Sequence, residues 1–107
     1  MVKIIVENLI ENAIHFSAYE NPVITIRAII NGNVAILEVE DNGQGILEEY
    51  KPRIFEMYFR ANENSKGNGL GLYIAKKSIE KLSGHIRVTS SHAHGSVFTV
   101  ELPNRRE

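Results

Sequence analysis

Residues Lys66–Gly84 read KGNGLGLYIAKKSIEKLSG, and the rest of the chain is arranged about the change that occurs inside them. Gly67, Gly69 and Gly71 alternate, and then the glycines stop. From there Leu72, Ala75, Ile79 and Leu82 recur at helical spacing, with Lys76, Lys77, Glu80 and Lys81 on the opposite side. The spacing predicts a helix from Leu72, with Gly84 as its left-handed stop. A glycine-rich segment feeding a helix start leaves backbone N–H groups free at the positive end of the helix dipole, which suits a polyphosphate. The same pattern also serves as a plain structural turn, so its meaning depends on what accompanies it.

The totals narrow the options. A chain of 107 residues, 43% hydrophobic and 23% charged, is expected to form one compact domain with a modest core. A formal net charge of -1 disfavours nucleic acid and anionic membrane surfaces as partners. There is no cysteine, which removes disulfide and thiolate chemistry and is compatible with the cytoplasm. No apolar run approaches a membrane span and no signal peptide is seen. Apolar periodicity starts at Val2 with no capping residue ahead of it. The expectation is therefore an N-terminally truncated domain, residues 1–107 of something longer.

Residues Met1 to about Ser17 are expected to form an amphipathic helix. At about 100° per residue, Val2, Ile5, Val6, Leu9, Ile10, Ala13 and Phe16 form one arc. Asn8, Asn12 and His15 line its shoulder, and Asn21-Pro22 breaks the helix. Val23–Ile30 and Val34–Asp41 read as strands joined by Asn31-Gly32-Asn33. Strand parity puts Asp41 on the apolar face with Ala35, Leu37 and Val39, an expensive place for a carboxylate without a partner. Short helical turns are expected near Glu48–Tyr50 and after Pro52, then a mobile loop over Ala61–Lys66. His85–Ser90 and Ser96–Leu102 should form a second hairpin turning at His92–Gly95. Thr25, Arg27, Glu38, Glu40, Arg87, Thr89, Thr99 and Glu101 would make a polar side of the sheet. The sum is an α/β two-layer sandwich, with helices on one face of the sheet and water on the other.

Three features carry possible chemistry. Asn8 and Asn12 are four apart and so lie one above the other on a helix. Their amide oxygens are hard neutral ligands that suit Mg²⁺, an ion that keeps most of its shell as water and phosphate; a half-exposed polar shoulder is the plainer reading. Asp41, ahead of Asn42-Gly43-Gln44-Gly45, is either the end of a strand before a tight turn or the floor of a pocket. As a floor it would accept a hydrogen bond from an exocyclic amine and reject a carbonyl at that position. Arg60, beside Phe55, Tyr58 and Phe59, could reach a phosphate or simply be solvated. His92-Ala93-His94 lacks a third ligand in sequence and reads as a surface turn. No Ser/His/Asp set and no G-x-x-x-x-G-K-[ST] loop is present.

Taken together and in order, these elements resemble the ATP-binding catalytic domain of two-component sensor histidine kinases, in the GHKL superfamily. Asn8-Leu9-Ile10-Glu11-Asn12-Ala13 resembles the family's N box, and Asp41-Asn42-Gly43-Gln44-Gly45-Ile46 its first glycine box. Ile54-Phe55-Glu56-Met57-Tyr58-Phe59-Arg60 resembles the F box, and Gly67-Asn68-Gly69-Leu70-Gly71-Leu72 the second glycine box. Gly95-Ser96-Val97-Phe98-Thr99-Val100 is similar to the closing glycine-and-strand element. The resemblance implies a Bergerat-type ATP-binding fold with a mixed, mostly antiparallel sheet. It implies Mg²⁺ on Asn12 with help from Asn8, and the adenine amine on Asp41, with Gly43, Gly45, Ile46 and Phe16 around the base. The phosphates would be cradled by Gly67, Asn68, Gly69, Leu70 and Gly71, with His15 and Arg60 near them. Residues from about Tyr50 to Gly67 would form a lid over ATP.

The resemblance has departures. His15 stands where many members have lysine or arginine, which would make that phosphate contact weaker and pH-dependent. Asn68 replaces the usual threonine or serine, and Met57 a common proline. Asn8 occupies the position where related ATPases and anti-sigma-type serine kinases carry a glutamate base. An imidazole needs no such base at neutral pH, so the pattern favours a histidine acceptor. None of His15, His85, His92 and His94 has the acidic follower that the phosphoacceptor usually has. The implied acceptor is thus a histidine on a separate dimerisation domain, with a response regulator further downstream. The implied location is the cytoplasm, or the cytoplasmic part of a membrane-bound sensor. An anti-sigma-type serine kinase and a non-catalytic nucleotide-binding module are the alternatives.

Overall fold

The computed structural model describes residues 2–16, 20–57, 59, 70–90 and 95–103. The first helix, α1, runs Val2–Phe16, close to the expected span. Its buried residues are Ile5, Leu9 and Ala13, the centre of the predicted arc. Strands β1 (Ile24–Asn31) and β2 (Val34–Asp41) form a hairpin around Gly32 and Asn33. A 3-10 turn at Glu48–Tyr50 is followed by successive hydrogen-bonded turns through Phe59, not by a second helix. Helix α2 (Gly71–Lys81), β3 (His85–Ser90) and β4 (Ser96–Pro103) complete the described elements.

The sheet order is β1-β2-β4-β3, and all three pairings are antiparallel. Helix α1 packs against α2 and over β2, and α2 lies over β3. The core is one cluster of Ile5, Leu9 and Ala13 from α1, Ala75 and Ile79 from α2, Val39, Phe98 and Val100 from the sheet, and Ile54 from the turns. This is the expected two-layer arrangement, with α2 clamped between α1 and the far hairpin.

Two expectations change. Gly84 is not the left-handed residue that ends α2; Ser83 is, at φ 62°. Ser83 N–H donates to Glu80 O at 3.0 Å and Gly84 N–H to Ile79 O at 2.9 Å, the Schellman pattern. The glycine is needed one residue later for another reason: a β-carbon there would sit 2.5 Å from Glu101 O and 2.6 Å from Leu102 Cδ2. The second change is Thr99, which is only 5% exposed although it lies on the polar face. Its cross-strand partners are Glu38 and Arg87, long side chains on either side of it. On that face Arg27 Nε reaches Glu38 at 2.9 Å and its Nη2 reaches Glu40 at 2.6 Å, while Arg87 pairs with Glu101 at 3.1 Å.

Candidate nucleotide site

The predicted residues that fall among the described ones gather along α1. Midway along α1, Asn8 Nδ2 donates to Ile4 O, one turn back, at 2.9 Å. That bond fixes the amide and turns Oδ1 toward the start of α2, where a β-carbon on Gly71 would lie 3.3 Å away. Asn12 and His15 follow on the same side of α1, both half-buried or more exposed than the core arc beneath them. Helix α2 opens after Leu70, whose own side chain makes no capping hydrogen bond, and the helix start faces Asn8. Two neutral amides suit a cation whose remaining ligands are phosphate and water, and a helix N-terminus suits the phosphate. Among the described residues no three His, Cys, Asp or Glu side chains gather to cage a metal by themselves.

At the C-terminal end of α1, Phe16 abuts Gly43. A β-carbon on Gly43 would fall 1.5 Å from Phe16 O, so the loop after β2 can press on the helix terminus only because residue 43 has no side chain. That loop follows Asp41, 3% exposed. Gly43 N–H donates to Asp41 Oδ1 at 2.8 Å, and Ser96 Oγ–H donates to Oδ2 at 3.2 Å. Burial pushes the Asp41 carboxyl above its ordinary range, and these donors pull the other way without cancelling it. Gly45 has φ 74°, and Ile46 packs against the core.

From Asn8 to Phe16 is eight residues, about 12 Å of helix axis. Asn8 thus stands near the middle of α1, and the loop that follows Asp41 on β2 meets the helix at its last residue, Phe16. Arg60, Gly67, Asn68 and Gly69 lie outside the described residues, as do Tyr58, His92 and His94.

Some contributors carry no signal of their own in the sequence. Ser96 stands there only as one letter of a motif, yet it sits directly across from Asp41 in the β2–β4 register. Asn42 accepts from Val23 N–H at 3.0 Å and donates to Asn21 O at 2.9 Å, pinning the α1–β1 link to the pocket loop. Recognising either requires the strand order, which no local pattern supplies.

The profile of the histidine kinase-, DNA gyrase B- and HSP90-like ATPases matches residues 1–106. The chain belongs to that family. It is 34% identical to the catalytic domain of the histidine kinase ThkA and superposes on it with a TM-score of 0.82, covering 96% of this chain and 67% of that one. It is 36% identical over 96 residues to the heme sensor protein HssS of Staphylococcus haemolyticus, covering 90% of this chain. Full-length ShkA, solved in complex with AMPPNP, is 28% identical with a TM-score of 0.83 over 95% of this chain and 21% of that one. The chain spans 21% of the length of HssS. Within the family it has the form of the ATP-binding catalytic domain of sensor histidine kinases. No helix among the described residues is long and apolar enough to cross a membrane.

Proposed function

We propose that this domain binds Mg-ATP along α1 and donates the γ-phosphoryl group to a histidine on a separate dimerisation domain, from which a response regulator is served. The observation that carries the reading is the placement of Asn8 Oδ1, midway along α1, against the start of α2, and of the partnered Asp41 carboxylate beside the loop that meets the end of α1 at Phe16. A molecule with an amine-bearing base at one end and phosphates at the other matches that polarity. AMPPNP, found in ShkA, is of this kind.

Each residue has a defined task in this reading. Asp41 accepts from the exocyclic amine, and its two protein donors hold both oxygens in place while that bond is made. Gly43, Gly45, Ile46 and Phe16 border the base. Asn12, with Asn8, holds Mg²⁺, which when bound neutralises phosphate charge. The N–H groups from Gly67 to Gly71 face the phosphates, with His15, Asn68 and Arg60 near them. With no carboxylate at Asn8, water is not activated for attack, and the chemistry is left to positioning and charge neutralisation.

The test is phosphoryl transfer in trans. The chain is incubated with Mg²⁺, labelled ATP and the histidine-bearing domain of a parent kinase, beside a serine-bearing anti-sigma substrate. Acid-labile, base-stable label on the histidine domain is expected, lost in Asn12→Ala with the circular dichroism unchanged. Label on serine, or no affinity for any adenine nucleotide, would overturn the proposal.

A further inference from the structure

Asp41, Ser96 and Ser90 stand in one row across the sheet, because Asp41 pairs with Ser96 and Ser96 with Ser90 in the strand register. Asp41 and Ser96 are bonded directly. The Ser90 hydroxyl is instead used twice elsewhere. It accepts from Ile46 N–H at 2.7 Å and donates to Gly95 O at 3.0 Å. Ile46 ends the loop that carries Gly43, the donor to Asp41 Oδ1. Gly95 immediately precedes Ser96, the donor to Oδ2. One hydroxyl therefore ties together the two segments whose donors fix the two oxygens of Asp41. The Ser90 carbonyl is held as well: Lys51 Nζ donates to it at 3.1 Å and pairs with Glu48.

We infer that Ser90 is a positioning residue for base selection, acting through Ile46 and Gly95 on the direction in which the Asp41 carboxylate points. The inference rests on the reading of Asp41 as the acceptor for the base amine. Without the Ser90 hydroxyl the Ile46 N–H and the Gly95 carbonyl lose their shared partner, and the loop and the hairpin end are free to shift independently. The carboxylate then keeps its burial but loses its fixed aim. Discrimination between an amine and a carbonyl on the purine depends on that aim, since a site that reads a hydrogen bond rejects a mismatch only while its polar group cannot turn away. Affinity for the phosphates, placed by this reading toward Asn8 and the start of α2, does not depend on it.

The experiment compares ATP, GTP and inorganic tripolyphosphate, each with Mg²⁺, on the wild-type chain, Ser90→Ala, Ser90→Thr and Asp41→Asn, by calorimetric titration. For Ser90→Ala the expected loss of ATP affinity is roughly tenfold, the scale of one or two hydrogen bonds. Tripolyphosphate affinity should move less than about twofold, and the ATP-to-GTP ratio should fall, because the loss is confined to the base end. Ser90→Thr, which keeps the hydroxyl, should restore that ratio. An unchanged ATP-to-GTP ratio in Ser90→Ala, or an equal loss for ATP and tripolyphosphate, overturns the role of Ser90 while leaving Asp41 as the acceptor, provided Asp41→Asn loses the ratio. If Asp41→Asn keeps the wild-type ratio, the reading of Asp41 falls and this inference falls with it.

Discussion

At Asp41 two effects act on the same carboxyl. Removal from water raises its pKa, and the Gly43 N–H and Ser96 hydroxyl lower it; the first is larger. The folded-state pKa therefore lies above the unfolded one. The group's contribution to stability is then fully present below the unfolded pKa and is lost as pH rises through the folded one. Above the folded-state pKa the charged carboxylate is a burden on the empty fold. Asp41→Asn should accordingly raise the melting temperature of the nucleotide-free chain at pH 7 while weakening ATP binding by about 2 kcal/mol, the cost of a mispaired buried group. A lower melting temperature together with unchanged ATP affinity would contradict both halves. For the wild type, ATP affinity should begin to fall on acidification before ordinary carboxylates protonate. The Asp41→Asn variant should lack that limb in a titration series across pH. Gly43 makes a harsher demand. An added β-carbon would overlap the Phe16 carbonyl at 1.5 Å, so Gly43→Ala should cost about 2 kcal/mol or more by chemical denaturation, since backbone must move on both sides.

Helix α2 ends on Ser83 in the left-handed region, where a β-carbon costs roughly 1 kcal/mol that a glycine would not. Ser83→Gly should therefore stabilise the fold by about 0.5–1 kcal/mol, the strain relieved less the added freedom of the unfolded chain. Gly84→Ala should destabilise it, because Glu101 O stands 2.5 Å from the new atom. Urea titration of the two variants separates these roles, and opposite signs are the expected result. The elements themselves are legible in the sequence wherever a period runs undisturbed: β2 and β3 have their predicted ends, and α1, β1 and β4 differ by a residue. The sequence also shows Asp41 on the apolar face, because parity alone puts it there. What it hides is set by neighbours distant along the chain. Thr99 reads as polar surface until Glu38 and Arg87 are known to flank it, and Gly84 reads as a cap until β4 is known to press on it. Ser90 and Ser96 carry no local signal at all, since a serine in a strand becomes a pocket residue only through the order β2-β4-β3.

Across the whole molecule, the apolar mass is uneven. Phe98, Val39 and Val100 lie under the helices, whereas Ile26 and Ile30 on β1 are 49% and 71% exposed. The well-packed part of the domain is thus α1, α2 and the β2–β4–β3 half of the sheet, and the described groups proposed to face the nucleotide are mounted on it or on the loops it grips. Within that block Asn8 and Asp41 share no hydrogen bond among those described: Asn8 leans on Ile4 and α2, while Asp41 leans on Gly43 and Ser96. Groups on different elements, with separate partners, couple weakly. A bound nucleotide would bridge them, gripped at both ends rather than bent to fit one. In a double-mutant cycle with Asn8→Ala and Asp41→Asn, the losses in Mg-ATP affinity should therefore add to within about 0.5 kcal/mol. The same cycle with Ser96→Ala in place of Asn8→Ala should depart from additivity by more than that, because Ser96 and Asp41 share a bond. Strong coupling between Asn8 and Asp41 would mean that the two groups are not independent, and that a single compact ligand, not one stretched between them, is bound.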